Sequence, residues 1–262
     1  MNVIGIIPAR MASSRFPGKP LAKINGIPMI GHVYHRSKMS KGLGEVYIAT
    51  CDESIKAYAE SINAPCVMTA DTHQRASDRT AEATLKIEQA EGKKVDVVMM
   101  VQGDEPMLNP AMLDQAVRPL LDDQTLNIVN LMTPIKTLEE FESPNVVKVV
   151  VGLNNNALFM SREPIPYRKK AKDEVPMLKQ LGLIAFRRDY LLKFYSLSPT
   201  PLEIIESVDM LRVIEHGDQL RMVMTEYVSM GVDTSEDLMQ VESLMAKDPL
   251  RLQYAEMKRS SL

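Results

Sequence analysis

The sequence predicts an α/β fold built on a mainly parallel sheet, from the character of its apolar runs and from what separates them. Short apolar runs rich in β-branched residues fall at residues 3–7, 45–50 and 95–101. Helical patterns fill the gaps, at 27–40, 53–62 and 77–90. The first run is apolar on both faces, as a strand is when helices cover both sides of its sheet. Strands alternating with helices at this spacing form βαβ units, whose strands run parallel.

Beyond Pro106 the pattern changes. Residues 110–121 read as a helix, and 127–133, 146–151, 156–160 and 180–186 as strands of a mixed sheet. The stretch 164–176 is polar, basic and bounded by prolines, so it reads as a loop. Residues 201–215 read as one helix and 221–227 as a strand. A further helix starts at Ser235, where Thr234 and Ser235 both suit an N-cap. The residues from 247 onward read as a helical or frayed tail.

Composition narrows the function classes. With 262 residues, 45% of them hydrophobic, the chain can bury the core of one α/β domain carrying a smaller inserted lobe, placed at about 134–200. A net charge of -3 argues against a nucleic-acid-binding protein, which normally has a basic excess. Cys51 and Cys66 lack metal-ligand spacing and read as two reduced thiols. The first apolar run is too short for a signal peptide, and no stretch reaches membrane-span length. A soluble cytoplasmic protein is expected.

The chemistry begins right after the first strand. The segment PARMASSRFPGKP, residues 8–20, holds Arg10, Arg15 and Lys19 together with Ser13, Ser14 and Gly18. A turn at the carboxyl end of a parallel strand lies where α/β sheets bind ligands. Small residues let backbone N–H groups approach phosphate oxygens, and the cations supply charge. The segment matches neither a Walker A motif nor a dinucleotide fingerprint. Its competing reading is a solvated basic loop.

Two carboxylates fit the same crevice. Asp104, in VQGDEP, follows the third strand; Asp233, in GVDT, follows the last one. Magnesium commonly takes one or two carboxylates plus phosphate oxygens and water. Either aspartate alone reads equally well as a helix cap. Taken with the basic loop, the pair suits Mg²⁺-assisted phosphoryl or nucleotidyl transfer. His32 and His35 read as one solvated helix face, and His73 as a residue near a bound nucleotide.

Several segments, in order, resemble those of the 3-deoxy-manno-octulosonate (KDO) cytidylyltransferases, also called CMP-KDO synthetases. They are IIPARMASSRFPGKPL, IATCD, HQRASDR, VQGDEPM, NVVKVV, FMSREPIPY, QLGLIAFRRDYL, PLEIIESVDMLR and GVDTSEDL, spanning about residues 1–245. The resemblance implies a Rossmann-like nucleotidyltransferase sheet with a smaller mixed α+β lobe that carries dimer contacts. It implies the reaction of CTP with a sugar acid to give a CMP-sugar and pyrophosphate, for lipopolysaccharide or another surface glycan. On this likeness Arg10, Ser13, Arg15 and Lys19 correspond to triphosphate ligands. Ala49, Asp52, Ser77 and Arg79 lie in segments that approach the cytidine. Asp104 and Asp233 correspond to the Mg²⁺ ligands, and with Lys19 they are the expected catalytic set. Gln102, Arg162, Gln180, Ile184, Asp209 and Met210 fall on the acceptor side, and a homodimer is expected.

The sequence departs from the family pattern in a cluster. The usual Ser-Gly-Thr-Glu-Arg stretch is Arg75-Ala76-Ser77-Asp78-Arg79 here. A His is replaced by Gln180, a Tyr by Ile184, and a Glu-Gln pair by Asp209-Met210. Loss of these donors and acceptors predicts a modified or different ulosonic acid as acceptor. The rival readings are a CMP-activating enzyme for a sialic-type acid, another sugar nucleotidyltransferase of the same plan, and a catalytically silent nucleotide-binding protein.

Overall fold

The computed structural model describes residues 1–12, 16–168 and 176–259. Its frame is a parallel group of strands: β1 (Val3–Ala9), β4 (Glu45–Thr50), β5 (Cys66–Met68) and β6 (Val97–Val101). A small β2–β3 hairpin (Lys23–Ile24 and Ile27–Pro28) lies between β1 and the first helix, α1 (Met29–Lys38). Helices α2 (Glu53–Ser61) and α3 (Ala76–Glu91) complete the crossovers.

The second half adds α4 (Pro110–Asp122), β7 (Ile128–Pro134), α5 (Leu138–Glu142), β8 (Lys148–Val151), β9 (Ala157–Ser161) and β10 (Leu178–Arg187). There follow α6 (Arg188–Ser196), α7 (Pro201–Glu206), α8 (Leu211–Glu215), β11 (Arg221–Met224), α9 (Ser235–Met245) and α10 (Pro249–Arg259). Among the described residues the main sheet holds nine strands in the order β11-β7-β10-β6-β1-β4-β5, with β8 and β9 extending from β10. Strand β10 runs antiparallel to its neighbours β6 and β7, and β8 and β9 also pair antiparallel, which is why the sheet is mainly rather than wholly parallel.

Strand alternation sorts the core into two layers. Ile4, Ile6, Val98, Met100, Ile184 and Phe186 pack on one face with α3, α6 and α8. Ile7, Val46, Ile48, Val97, Met99 and Leu183 pack on the other with α1, α2 and α4. The chain leaves β1 for β4 through α1 and reaches β6 through α3, on opposite faces. The carboxyl ends of β1 and β6 therefore flank a topological switch point, where ligands bind in open α/β sheets.

Several local expectations are corrected. The helix expected over 201–215 is two: Ser207 adopts a left-handed φ of 51°, and the chain turns there between α7 and α8. Helix α6 and the short strand β5 are not among the elements expected from sequence. His32 is not on a solvated face. It is fully buried, with its ring nitrogens hydrogen-bonded to the Tyr254 hydroxyl and the Ile24 carbonyl. Cys51 and Cys66 are unpaired thiols. Among the described residues no helix is long and apolar enough to cross a membrane.

Candidate active site

A cavity of about 320 Å³ opens at the carboxyl ends of β1 and β6, within the roughly 300–1,000 Å³ of small-molecule sites. Its walls come from three stretches: Pro8 to Arg10 with Ala12, Lys19 and Pro20, His73 to Ala76 with Arg79, and Gln102 to Asp104. Arg10, Lys19, Arg75 and Arg79 line it against one carboxylate, Asp104. Such a balance suits an anionic ligand.

Lys19 is the focus. Gly18, with φ of 75°, turns the first loop into a single 3₁₀ turn that begins at Lys19. Lys19 Nζ then lies 2.7 Å from Asp104 Oδ2 and 3.2 Å from Asp233 Oδ1. Burial opposes the charge on Lys19, but Asp104 and then Asp233 outweigh it and raise its pKa above the ordinary value. Neither aspartate serves as a cap. Asn109 caps α4, and Thr234 caps α9, accepting from Asp237 N while Asp237 accepts from the Asp233 and Thr234 amides. The Val232 amide donates to the Asp104 carbonyl at 2.9 Å, which fixes the two aspartate segments to each other.

The two carboxylates fit a hard divalent cation. Both keep solvent access, with side-chain exposures of 33% and 39%, and they already converge on one cationic group, the Lys19 ammonium. Among the described residues no group of three or more His, Cys, Asp or Glu is placed to hold a metal. The rest of a coordination shell would come from ligand oxygens and water, as is usual for magnesium.

The other expected residues divide into cavity walls and supports. Arg10 is exposed in the cavity and reaches the His73 carbonyl at 3.5 Å. Arg79 is buried; its Nη1 donates to Thr69 Oγ1 and the Ala70 carbonyl, while Nη2 is buried without a partner among the described residues. An orphaned guanidinium donor at a cavity wall matches an acceptor atom on a ligand. Asp52 accepts from the Met11 amide at 2.8 Å and so anchors the first loop. Ala49 is fully buried within β4 beside Pro8, and Ser77 is buried with its Oγ donating to Asp209. Ser13 and Arg15 lie outside the described residues, as does 169–175 of the basic loop.

Of the residues expected on the acceptor side, Gln102 lines the cavity and lies over Gly182, where β10 changes register. Gln180 is half-buried and its Oε1 has no partner among the described residues. Gln180, Ile184, Met210, Arg162 and Asp209 do not line the cavity. Ile184 and Met210 are buried in the core, because strand alternation turns Ile184 toward the α3 face and Met210 packs at the start of α8. Arg162 spends its guanidinium on the carbonyls of Pro144, Glu206 and Ser207. Asp209 lies behind the wall and pairs with Arg75 at 2.9 Å. Arg75 itself escaped the site reading, although HQRASDR shows it as a cation in a segment otherwise expected at the nucleotide.

A basic crevice at parallel strand ends, with two carboxylates converging on a lysine, defines an enzyme of the nucleotidyltransferase class. The chain belongs to the cytidylyltransferase family, whose model matches residues 4–233. It is 44% identical over 248 residues to the 3-deoxy-manno-octulosonate cytidylyltransferase of Pelobacter propionicus, covering 91% of this chain and 95% of that one. It is 42% identical over 257 residues to the enzyme of that name from Geobacter metallireducens, covering 94% and 99%. A solved structure of a CMP:2-keto-3-deoxy-manno-octonic acid synthetase complexed with CTP superposes with a TM-score of 0.86 at 35% identity, covering 94% of this chain and 99% of that one.

Proposed function

We infer that the protein transfers the cytidylyl group of CTP to KDO or a KDO-like ulosonic acid, releasing pyrophosphate. The observation that carries this reading is the convergence of Asp104 and Asp233 on Lys19 beside a cation-lined cavity, in a chain so similar to enzymes of that name. The acid's 2-hydroxyl oxygen bonds to the α-phosphorus, the bond to the β-phosphate oxygen breaks, and the hydroxyl proton passes to solvent. Arg10 and Lys19 hold phosphate oxygens and balance the charge on the leaving pyrophosphate. Arg79 Nη2 donates to the nucleoside, and Ser77 and Asp52 support the walls. Gln102 orients the acceptor, with Gln180 and Asp209 near that wall.

Asp104 and Asp233 would hold Mg²⁺, which when bound neutralises phosphate charge and lowers the pKa of the attacking hydroxyl. A cytoplasmic homodimer, with the lobe at about 134–200 forming its contacts, is part of the same reading. The exposed Leu138, Leu153 and Leu158 within that lobe support it. Because Ile184 and Met210 lie in the core, a change of acceptor rests on Gln180 and Asp209 rather than on all four departures.

The test is pyrophosphate release with CTP, Mg²⁺ and a panel of 2-keto-3-deoxy sugar acids. Release with KDO or a relative supports the reading. Release only with a sialic-type acid would reassign the acceptor, and none with any acid would favour the silent nucleotide-binding alternative.

A further inference from the structure

Arg75 stands apart from the other cavity cations. Arg10 and Lys19 come from the first loop, and Arg79 is anchored beside β5 by Thr69 and Ala70. Arg75 lies one helical turn before Arg79 but is drawn the other way, to the corner between α7 and α8. Its Nη1 is 2.9 Å from Asp209 Oδ1 and 3.5 Å from Ser207 Oγ. Nε and Nη2 make no hydrogen bond among the described residues. The side chain keeps 30% exposure and lines the cavity.

The corner that holds Arg75 is rigid. Arg212 grips Glu203 through two bonds, Nε to Oε2 at 2.7 Å and Nη2 to Oε1 at 2.6 Å, and both residues are buried. That fork fastens α7 to α8 on either side of Ser207 and Asp209. Asp209 is steadied from below by Ser77 Oγ at 3.0 Å. A guanidinium fixed at one nitrogen on a rigid corner still presents a planar pair of donors, the geometry that matches a carboxylate.

We propose that Arg75, held at one edge by Asp209, reads the carboxylate of the sugar-acid acceptor with its free edge. This rests on the CTP and sugar-acid reading above. In a 2-keto-3-deoxy acid the carboxylate and the attacking hydroxyl share one carbon. Gripping the first therefore orients the second, and Arg75 is a specificity residue as well as an anchor. Arg162, whose guanidinium is already spent on three carbonyls, is not needed for this contact.

Calorimetry of the full chain with a non-hydrolysable CTP analogue in place tests the proposal, with KDO and its C1 carboxamide as probes. The wild type should prefer the carboxylate. Arg75→Ala should bind KDO on the order of 10–100-fold more weakly and lose the preference, while its affinity for the CTP analogue stays within about twofold. Arg75→Lys keeps the charge without the fork and should recover only part of the preference. Its thermal melt and nucleotide affinity also guard against a folding defect. Equal KDO binding by wild type and Arg75→Ala, or a loss confined to the CTP analogue, would overturn the assignment. Failure of the underlying reading looks different, because wild-type protein would then bind neither acid and release no pyrophosphate.

Discussion

Gly182→Ala tests whether Gln102 is held where it is needed. A methyl group at Gly182 would stand 3.1 Å from Gln102 Cβ, 3.3 Å from its Cδ and closer still to its Cγ. The nearest atoms belong to the root of the side chain, so Gln102 must rotate away. Gly182 does not have a positive φ, so alanine itself is tolerated and restricts the unfolded chain, a gain of about 0.4–1 kcal/mol. Overpacking costs about 1–3 kcal/mol. The net loss is on the order of 1–2 kcal/mol, or about 2–4 °C at about 2 °C per kcal/mol for a chain of this length. The kinetic effect should be selective: KM for the sugar acid rises several-fold and KM for CTP stays near its wild-type value. In a Gln102→Ala background the clash with Cγ disappears, and Gly182→Ala should cost little further stability. Wild-type kinetics and melting in Gly182→Ala, or the same cost in both backgrounds, would refute the packing argument.

Asp104→Asn and Asp233→Asn should each lower turnover on the order of 100-fold or more and raise the Mg²⁺ concentration needed, with circular dichroism unchanged; near-normal turnover would remove the pair from the reaction. His32 gives a pH signature: burial first, then the nearby charge of Arg36, pushes its pKa down to about 4. The native ring stays neutral while the unfolded one takes up a proton below about 6.5. Its contribution is therefore complete above pH 6.5 and falls away toward pH 4, by at most about 3 kcal/mol. Denaturant titrations should show His32→Gln losing this slope between the two values. Lys148 is buried, with its ammonium donating to the carbonyls of Ser143, Val146 and Arg162. Lys148→Met leaves these without their donor and should cost about 2–4 kcal/mol, read as a fall in melting temperature of about 4–8 °C.

The parallel frame was legible because β1, β4 and β6 are buried on both faces, so each is a plain apolar run flanked by helices. The convergence of Lys19, Asp104 and Asp233 was legible for a related reason: Lys19 and Asp104 follow the buried strands β1 and β6, Asp233 follows β11, and strand ends in such sheets share one edge. Direction was harder to read than position. Ile184 and Met210 occupy segments expected at the acceptor, yet strand alternation and the packing of α8 turn both into the core. Arg162 reads as a free cation until the chain is folded and three carbonyls close on it. Arg75 reads as an ordinary substitution until Asp209, far along the sequence, arrives beside it. The break at Ser207 was hidden because the flanking residues keep helical periodicity across a single left-handed residue.

The convergence of Asp104 and Asp233 on Lys19 also depends on how the C-terminal part of the chain docks. Val232 is fully buried in a small apolar cluster with Ile24, Met29, Val241 and Met245. Asn25 bonds Glu242, and Tyr254 bonds His32 and packs on His35, so α9 and α10 are pinned to the β2–β3 hairpin and α1. These contacts hold Asp233 near Asp104 against the mutual repulsion of two carboxylates, with Lys19 supplying the compensating charge. The raised pKa of Lys19 keeps that charge across the neutral range. On the proposed function, Asp104 and Asp233 would hold a divalent cation, which would supply positive charge beside the phosphates, and Lys19 would face phosphate oxygens. Removing Lys19 should therefore weaken the placement of the carboxylate pair.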